Sequence, residues 1–207
     1  MFDRYGRPLR RPGIVRKGAV QKKDSPMRLA LTSLFIALSL TLAGAAVAMD
    51  KENTLYIDLK DGRVVIEMRP DLAPNHVKRI KELARAGKYD GVVFHRVIEG
   101  FMAQTGDPTG TGTGGMGEPL KAEFSKEPHN RGAVSMARTN DPNSARSQFF
   151  IVFKDSNFLD SQYTVWGKVV SGMEHVDKIK RGAPGSGAVS PPPDKMIKVQ
   201  VAADAKD

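Results

Sequence analysis

Two short stretches alternate apolar and polar residues with a period of two, which is typical of half-buried β-strands. They read TLYIDLK, starting at Thr54, and GRVVIEM, starting at Gly62. The dipeptide Asp61-Gly62 lies at their junction, and this pair favours a tight two-residue turn. The pattern therefore predicts a β-hairpin over residues 54–68.

Two later stretches repeat their apolar residues every three or four positions, as helices with one buried face do. The first covers residues 73–89, with Pro74 near its start and Gly87 near its end, the usual boundary residues. Its apolar stripe consists of Val77, Ile80, Leu83 and Ala84. The second covers residues 172–182. Its stripe consists of Met173, Val176 and Ile179.

Further short apolar runs lie between and after these helices. They are VVFHRVI, GAVSMA, SQFFIVF, YTVWGKVV and MIKVQVA. With the hairpin they give seven or eight short strands against only two helices. This ratio predicts a mostly β fold, a closed or nearly closed antiparallel barrel capped by helices. The Gly- and Pro-rich residues 182–194 are predicted to form a long surface loop.

An uncharged apolar segment covers residues 29–49, directly behind Met27 and Arg28. It ends in the small residues of Ala46-Val47-Ala48, so it has the pattern of a secretory signal peptide with a cut after Ala48. If translation starts at Met1, nine Lys and Arg precede the segment, which also suits an uncleaved membrane anchor.

The domain prediction follows from this segment. Residues 1–26 are a basic N-terminal extension, residues 27–48 a signal peptide or signal anchor, and residues 49–207 the folded domain. A membrane tether through residues 29–49 is the alternative to cleavage.

The net charge of +9 is concentrated near the N-terminus. Residues 1–48 hold 9 of the 32 basic and 2 of the 23 acidic residues, which leaves 23 basic and 21 acidic residues in the remainder. A nearly neutral domain gives no reason to predict a nucleic-acid partner. The chain has no cysteine, which excludes disulfides, thiol catalysis and cysteine-bound zinc.

Two features of the sequence could suggest a nucleotide-binding or a metal-dependent enzyme, but each lacks residues that such a site needs. The glycine-rich residues 106–117 lack the Gly-Lys-Ser/Thr ending and the following helix of a phosphate-binding loop, so a flexible surface loop is predicted. The histidines are His76, His95, His129 and His175. They show neither metal-ligand spacing nor a nucleophile elbow, so we predict no metal and no cofactor. His95 is expected to support its neighbour in the barrel wall.

A single positive charge interrupts the run VVFHRVI. Strict alternation places Phe94, Arg96 and Ile98 on one face of this strand. His95 and Val97 then lie on the other face. The arginine could simply cover apolar surface with its stem while its head reaches water. The stretches FMAQTGD and ARSQFFIVF each add an amide beside aromatic residues, which favours a functional site.

Three longer motifs identify a resemblance. They are YDGVVFHRVIEGFMAQTGDPTGTGTGG, EFSKEPHNRGAVSMAR and SARSQFFIVFKDSNFLDSQYTVWGKVVSGMEHVDKI. Together they resemble the cyclophilins, the cyclosporin-binding class of peptidyl-prolyl cis-trans isomerases, over nearly all of residues 53–203. The resemblance implies a closed eight-stranded antiparallel β-barrel capped by two α-helices, with the proline site on its outer face.

The resemblance also implies the site residues. Arg96 is implied as the catalytic arginine, with Gln104 beside it. The implied substrate-binding residues are Phe101, Met102, Ala137, Arg138, Gln148, Phe150, Phe158, Leu159 and Tyr163. At position 138 the family usually has asparagine, so the arginine is expected to alter substrate preference while its backbone still serves.

Two departures from the eukaryotic members bear on inhibitor binding. Phe158 stands where those members have a tryptophan that binds cyclosporin, and Tyr163 stands where they have a histidine; both residues resemble bacterial cyclophilins. We expect weak cyclosporin binding, because phenylalanine lacks the N–H donor of the indole ring.

The residue types suit rotation about a peptide bond that precedes proline. That rotation breaks amide resonance, at a barrier of roughly 18–20 kcal/mol. The twisted prolyl nitrogen gains a lone pair, and a guanidinium that donates to it binds the twisted state better than the planar one. The expected partners are proline-containing peptides and unfolded or folding proteins, and the expected location is the bacterial periplasm, either soluble or anchored in the inner membrane. The alternative is a chaperone or proline-segment binding module of the same fold with little turnover.

Overall fold

The structure is a computed structural model that describes residues 49–206. The strands are β1 (Thr54–Leu59), β2 (Gly62–Met68), β3 (Arg96–Ile98), β4 (Met102–Thr105), β5 (Ala133–Met136), β6 (Phe149–Val152), β7 (Val165–Ser171) and β8 (Lys198–Val201). The α-helices are α1 (Pro74–Arg85) and α2 (Met173–Val176). Short 3-10 helices occupy Lys51–Asn53, Asn157–Leu159 and Ala202–Asp204.

All eight strands belong to one antiparallel curled sheet in the order β3-β4-β6-β5-β7-β2-β1-β8. The mostly β prediction, with two helices, is confirmed. The order has two ends, β3 and β8, and no strand ladder joins them within the residues described. The closure of the barrel therefore remains a prediction.

The hairpin forms as predicted, but its turn is shifted by one residue. Strand β1 pairs with β2 from Thr54↔Glu67 to Leu59↔Gly62, so the turn is Lys60-Asp61. Gly62 opens β2 with a φ of +143°, which a residue with a side chain rarely adopts. A Cβ atom there would lie 2.4 Å from Nε2 of His175, so this strand start requires glycine.

Helix α1 agrees with its predicted stripe, since Val77, Ile80 and Ala84 are all buried. The second predicted helix is much shorter than residues 172–182, because α2 covers only Met173–Val176. After it the bonds change to the i→i−3 type, with Lys178 N–H donating to His175 and Ile179 N–H donating to Val176. This tighter turn ends the α-helix.

Apolar side chains separate into two clusters on opposite faces of the sheet. The larger, interior cluster includes Trp166, Phe149 and Tyr89, and helix α1 packs onto it. Edge-to-face contacts order these rings, at 5.4 Å between Phe149 and Trp166 and 5.7 Å between Tyr89 and Phe149. The smaller cluster contains Met102 and Phe150 and forms part of the candidate site.

The predicted strand over residues 92–98 is wrong in extent. Only Arg96–Ile98 form β3, while Phe94 N–H bonds to the carbonyl of Asp194. Because the chain leaves the ladder before Arg96, Phe94 joins Val97 in the interior cluster. Phe94 therefore does not share a face with Ile98, which packs against the smaller cluster.

The predicted extension, signal peptide and tether lie outside the described residues. Among residues 49–206 no helix is both long enough and apolar enough to cross a membrane.

Candidate active site

A chain of side-chain hydrogen bonds joins three neighbouring positions. Nη1 of Arg96 donates to Oε1 of Gln104 at 3.2 Å, and Nε2 of Gln104 donates to Oε1 of Gln148 at 2.9 Å. Strand pairing fixes the first contact, because Arg96 and Gln104 stand directly opposite each other on β3 and β4. The structure thus brings together Arg96, Gln104 and Gln148, which the sequence analysis placed in the candidate site.

The loop over residues 106–117 anchors the far end of this chain. Nε2 of Gln148 donates to the carbonyls of Gly112 and Gly114, at 3.0 and 2.7 Å. Asp107 holds that loop from behind, since its carboxylate accepts from the backbone N–H of Gly112 at 2.6 Å and of Gly114 at 3.1 Å. The loop, which the sequence predicted to be flexible, is therefore tied down by hydrogen bonds and supports the site.

The pKa of Asp107 is lowered although its side chain is buried. Burial acts to raise its pKa, but hydrogen bonds from the backbone and hydroxyl of Thr109 and from the backbone of Gly114 and Gly112 outweigh this and lower the pKa to about 2. These donors satisfy the charge within the loop, as carboxylates with several N–H partners require.

Arg96 has a second partner, which the sequence did not predict. Its Nε donates to the backbone carbonyl of Ser186 at 3.1 Å, in the loop over residues 182–194. The neighbouring Gly187 packs so closely on β3 that a Cβ atom there would lie 2.5 Å from Cγ1 of Ile98. With Nε and Nη1 both engaged, the guanidinium is fixed in orientation.

The apolar half of the site is the smaller hydrophobic cluster. Its buried members are Met102, Ala133, Phe150, Val152 and Leu159, and its partly buried members are Ile98, Phe101, Ala137 and Tyr163. Six of the predicted site residues belong to it: Phe101, Met102, Ala137, Phe150, Leu159 and Tyr163. Arg96 and Gln104 stand on the strands that carry this cluster, so a charged donor borders an apolar surface.

Phe158 extends this apolar surface toward solvent. Its ring centroid lies 5.4 Å from that of Phe101, yet 66% of the residue is exposed. Tyr163 lies on the other side, edge-on to Phe150 at 5.9 Å. The two positions that depart from the eukaryotic pattern are thus both at the candidate site.

His129 supports the cluster from behind, which the sequence did not predict. Its ring stacks on Phe150 with centroids 6.3 Å apart and meets Tyr163 edge-on at 6.4 Å. Nδ1 lies 2.9 Å from Oδ1 of Asp160, and Nε2 lies 3.1 Å from Oγ of Ser135. Because both ring nitrogens are bonded, the imidazole is held in place and packs against Phe150 and Tyr163.

Arg138 lies beside the cluster with its side chain tied down. Its guanidinium stands 4.4 Å from the ring centroid of Tyr163 and donates to the carbonyl of Gln162, at 2.9 Å from Nη2. The backbone N–H of Ala137 donates to the carbonyl of Gln148. The backbone N–H and C=O of Arg138 have no hydrogen-bond partner within residues 49–206, so they are available to a bound peptide.

His95 is adjacent to the site without joining its hydrogen bonds. Both ring nitrogens are buried and have no partner among the residues described, and the ring lies against Gly112. Burial lowers the pKa of His95; Asp107 acts to raise it, and the charge of Arg96 lowers it further. The supporting role of His95 in the barrel wall stays a prediction.

A cavity of about 680 Å³ adjoins the polar chain. It is lined by Gln104 and Gln148, by the loop residues Gly112 to Gly115, and by Ala137 and Arg138. Phe101, Met102, Phe150 and Leu159 do not line it. The cavity therefore lies to one side of the apolar cluster. It shares Ala137 with that cluster and Gln104 and Gln148 with the polar chain.

The arrangement suits noncovalent chemistry. It offers a fixed cationic donor, an apolar surface for a ring, and free backbone groups for a peptide. The hydroxyl of Ser135 does contact His129, but both residues are fully buried and the hydroxyl donates to the carbonyl of Thr164, so it does not face the site. No three His, Asp or Glu side chains converge as a metal site in the part of the chain that the structure describes.

Comparison with known proteins decides the family. The family model for cyclophilin type peptidyl-prolyl cis-trans isomerases matches residues 54–201. The chain belongs to this family. Its function is that of a cyclophilin-type peptidyl-prolyl cis-trans isomerase, and the resemblance found in the sequence is confirmed.

Relatives and solved structures agree with this. A probable peptidyl-prolyl cis-trans isomerase from Brucella suis is 55% identical over 184 residues, which cover 83% of this chain and 94% of the relative. Peptidyl-prolyl cis-trans isomerase B from Bacillus subtilis is 44% identical over 132 residues, covering 62% of this chain and 92% of the relative.

Two crystal structures of cyclophilins have a similar fold. One, from Hirschia baltica, superposes with a TM-score of 0.67 and 31% identity over 76% of each chain. The other, from Cryptosporidium parvum in the presence of the dipeptide Ala-Pro, has a TM-score of 0.65 and 27% identity, covering 72% of this chain and 98% of that one.

Proposed function

We propose that Arg96 is the catalytic group of this isomerase and acts as a hydrogen-bond donor to the prolyl nitrogen as the X–Pro bond twists. The observation that supports this is the fixed guanidinium, held by Gln104 and by the carbonyl of Ser186, at the border of an apolar cluster. A prearranged donor aimed at charge that develops only in the twisted state lowers the barrier without lowering the ground state.

The apolar cluster supplies the second requirement, a grip on the proline ring. Phe101, Met102, Phe150 and Leu159 present a surface that excludes water from the rotating amide. The unpaired backbone groups of Arg138 would hold the peptide on one side of the ring. Proline-containing peptides and folding proteins are the substrates that this surface fits.

A charged donor contributes about 1.5–3 kcal/mol net, which corresponds to roughly 10- to 100-fold in rate. The test is cis-trans exchange of an Ala-Pro peptide, measured by NMR with the purified chain and with its Arg96→Ala variant. We expect the parent to accelerate exchange and the variant to lose most of the acceleration. A variant with full turnover would show that the arginine is not the catalytic group.

The alternative, a chaperone or binding module with little turnover, is separated by the same pair of proteins. Suppression of aggregation of an unfolded client that survives Arg96→Ala, together with no exchange activity in the parent, would favour it. We place it second because a binder has no need of a donor fixed by two partners.

We also propose that residues 27–48 act as a signal peptide, which directs the chain to the periplasm and is cut off after Ala48. The support is the sequence pattern of residues 27–48, an uncharged apolar run behind Arg28 that ends in Ala46-Val47-Ala48. Mass spectrometry of the protein recovered from its native envelope tests this. An N-terminus at Met49 is expected, whereas an intact apolar segment would mean an inner-membrane anchor.

The predicted closure of the barrel is a further proposal. It is supported by backbone hydrogen bonds that span the two ends of the sheet, from Gly91 N–H to the carbonyl of Met196 at 2.7 Å and from Met196 N–H to that of Val92 at 2.9 Å. Slow hydrogen exchange of these two amides would support closure, and exchange as fast as in exposed loops would oppose it.

A further inference from the structure

The cavity beside the glutamine pair has an unbalanced charge. Arg138 and Arg146 both line it, and no Asp or Glu does. Asp107 lies behind the loop, and its carboxylate is already occupied by the donors of Thr109, Gly112 and Gly114. The cavity thus presents two guanidinium groups without a neutralising partner.

The lack of partners distinguishes these arginines from the others. Within residues 49–206, arginines with a carboxylate oxygen within 4.0 Å are Arg63, Arg69, Arg79, Arg85, Arg131 and Arg181. Those without one are Arg96, Arg138 and Arg146. All three lie along the candidate active site, so positive charge is left unpaired where substrate would bind.

The two cavity arginines are held differently. Arg138 donates to the carbonyls of Gln162 and Thr139 and stacks on Tyr163, so its charge is fixed in place. Arg146 is exposed, and its guanidinium makes no hydrogen bond or ion pair with any residue that the structure describes. A fixed charge and an unpaired guanidinium fork together suit a carboxylate that arrives with a flexible peptide.

The position of the cavity decides which part of a substrate can reach it. It shares Gln104 and Gln148 with the polar chain but none of the residues that would grip the proline ring. A peptide whose proline lies on the apolar cluster can therefore enter the cavity from only one flank.

We propose that this cavity binds an acidic side chain, Asp or Glu, on one flank of the X–Pro bond, and so gives this isomerase a preference for acidic substrate segments. The inference rests on the proposed function of the site. The cavity volume of about 680 Å³ exceeds that of one side chain, so part of the peptide backbone would enter the cavity as well.

The test uses amidated, N-acetylated peptides with one Ala-Pro bond. A single Glu, Gln or Lys is placed in turn at each of the three positions before Ala-Pro and the two positions after it. NMR exchange with the full chain gives kcat/KM for each peptide, and the ratio of the Glu to the Gln peptide is the readout. We expect a ratio of about 5 at positions on one flank only, falling toward 1 as salt is raised.

Variants of Arg146 separate a local contact from overall charge. Because Arg138 keeps its charge in the cavity, Arg146→Gln should lower the Glu-to-Gln ratio part of the way toward 1. Arg146→Glu, which leaves one positive and one negative side chain at the cavity, should bring the ratio close to 1. The control is Lys178→Glu, which makes the same change in net charge at an exposed residue outside the cavity and should keep the parent ratio.

The outcomes distinguish a failure of the proposed isomerase function from a failure of the proposed acidic subsite. If the parent accelerates no peptide, the proposed function fails. If it accelerates Glu and Gln peptides equally at every position, or if Lys178→Glu shifts the ratio as far as Arg146→Glu does, the isomerase assignment stands and the acidic subsite is wrong.

Discussion

Nη1 of Arg96 lies 3.2 Å from Oε1 of Gln104, and the two residues stand opposite each other on paired strands. Sheet register therefore sets the distance between the charged donor and the amide that orients it. The Nη2 group of the guanidinium has no partner among the residues described, which leaves its two N–H donors free for substrate.

This geometry predicts that Arg96→Lys is a poor replacement. A compact ammonium cannot contact Gln104, the carbonyl of Ser186 and a prolyl nitrogen in one fixed arrangement. We expect kcat/KM to fall roughly 10- to 100-fold while the free energy of unfolding changes little. NMR exchange measures kcat/KM, and urea denaturation measures the free energy of unfolding. Near-full turnover in the lysine variant would show that the site does not need the forked guanidinium.

Gln148 offers a test of the support behind this pair. Its amide accepts from Gln104 and donates to the carbonyls of Gly112 and Gly114. In Gln148→Glu the new carboxylate has no proton to donate and faces two carbonyl oxygens. We expect a loss of about 1–3 kcal/mol in the free energy of unfolding and a lower kcat.

The matched control for this change is Gln162→Glu, at an exposed residue whose amide bonds only to the carbonyl of Phe158. It introduces the same charge at a place where the carboxylate does not face the carbonyls of Gly112 and Gly114. If both variants lose stability equally, the loop contact is not the reason for the loss.

The site residues could be predicted from sequence only because their motifs are local. Phe101 directly precedes β4, which carries Met102 and Gln104, and Gln148 directly precedes β6, which carries Phe150. Short motifs therefore contain all five residues. Periodicity alone gave the hairpin and helix α1, where one face is buried along the whole element.

Other contacts could not be predicted, because they depend on chain segments far apart in sequence. The carbonyl of Ser186 reaches Arg96 across 90 positions, and a backbone carbonyl leaves no mark on residue type. His129 was identified as a histidine without metal spacing, but its contacts to Phe150 and Asp160 appear only when the strands are assembled. Alternation likewise failed at Phe94, because the ladder begins after it.

Phe158→Trp should strengthen cyclosporin binding. The ring is two-thirds exposed and already contacts Phe101, so an indole can occupy the same place and add an N–H donor. One hydrogen bond of about 1 kcal/mol corresponds to roughly fivefold in Kd. Titration calorimetry of the parent and variant measures this, with Val170→Trp, on an exposed residue of β7, as the control for added indole.

Weak binding by the parent is part of the same prediction. Nanomolar affinity in the unmodified chain would mean that the indole donor is not what limits cyclosporin binding here. An unchanged Kd in Phe158→Trp would lead to the same conclusion.

Asp107 is expected to make the stability of the domain depend on acid. Its pKa is about 2 in the folded chain against 3.8 as the ordinary value. A carboxyl whose pKa is lowered on folding stabilises the folded state fully above its unfolded pKa, and this contribution is lost as the pH falls from about 5 toward 2. The shift corresponds to about 2 kcal/mol at pH 7.

Asp107→Asn should therefore unfold more easily than the parent at pH 7, by at least about 2 kcal/mol, because its amide also places N–H groups against the N–H donors of Gly112 and Gly114. Near pH 2 the difference should narrow, since the carboxyl of the unfolded parent is then protonated and that of the folded parent is about half protonated. Urea denaturation between pH 7 and pH 2.5 measures this, with Asp61→Asn in the exposed β1–β2 turn as the control. Because the same loop carbonyls hold Gln148, the variant should lose isomerase activity at pH 7 together with stability; a stable variant with a flat pH profile would show that the loop does not depend on this charge.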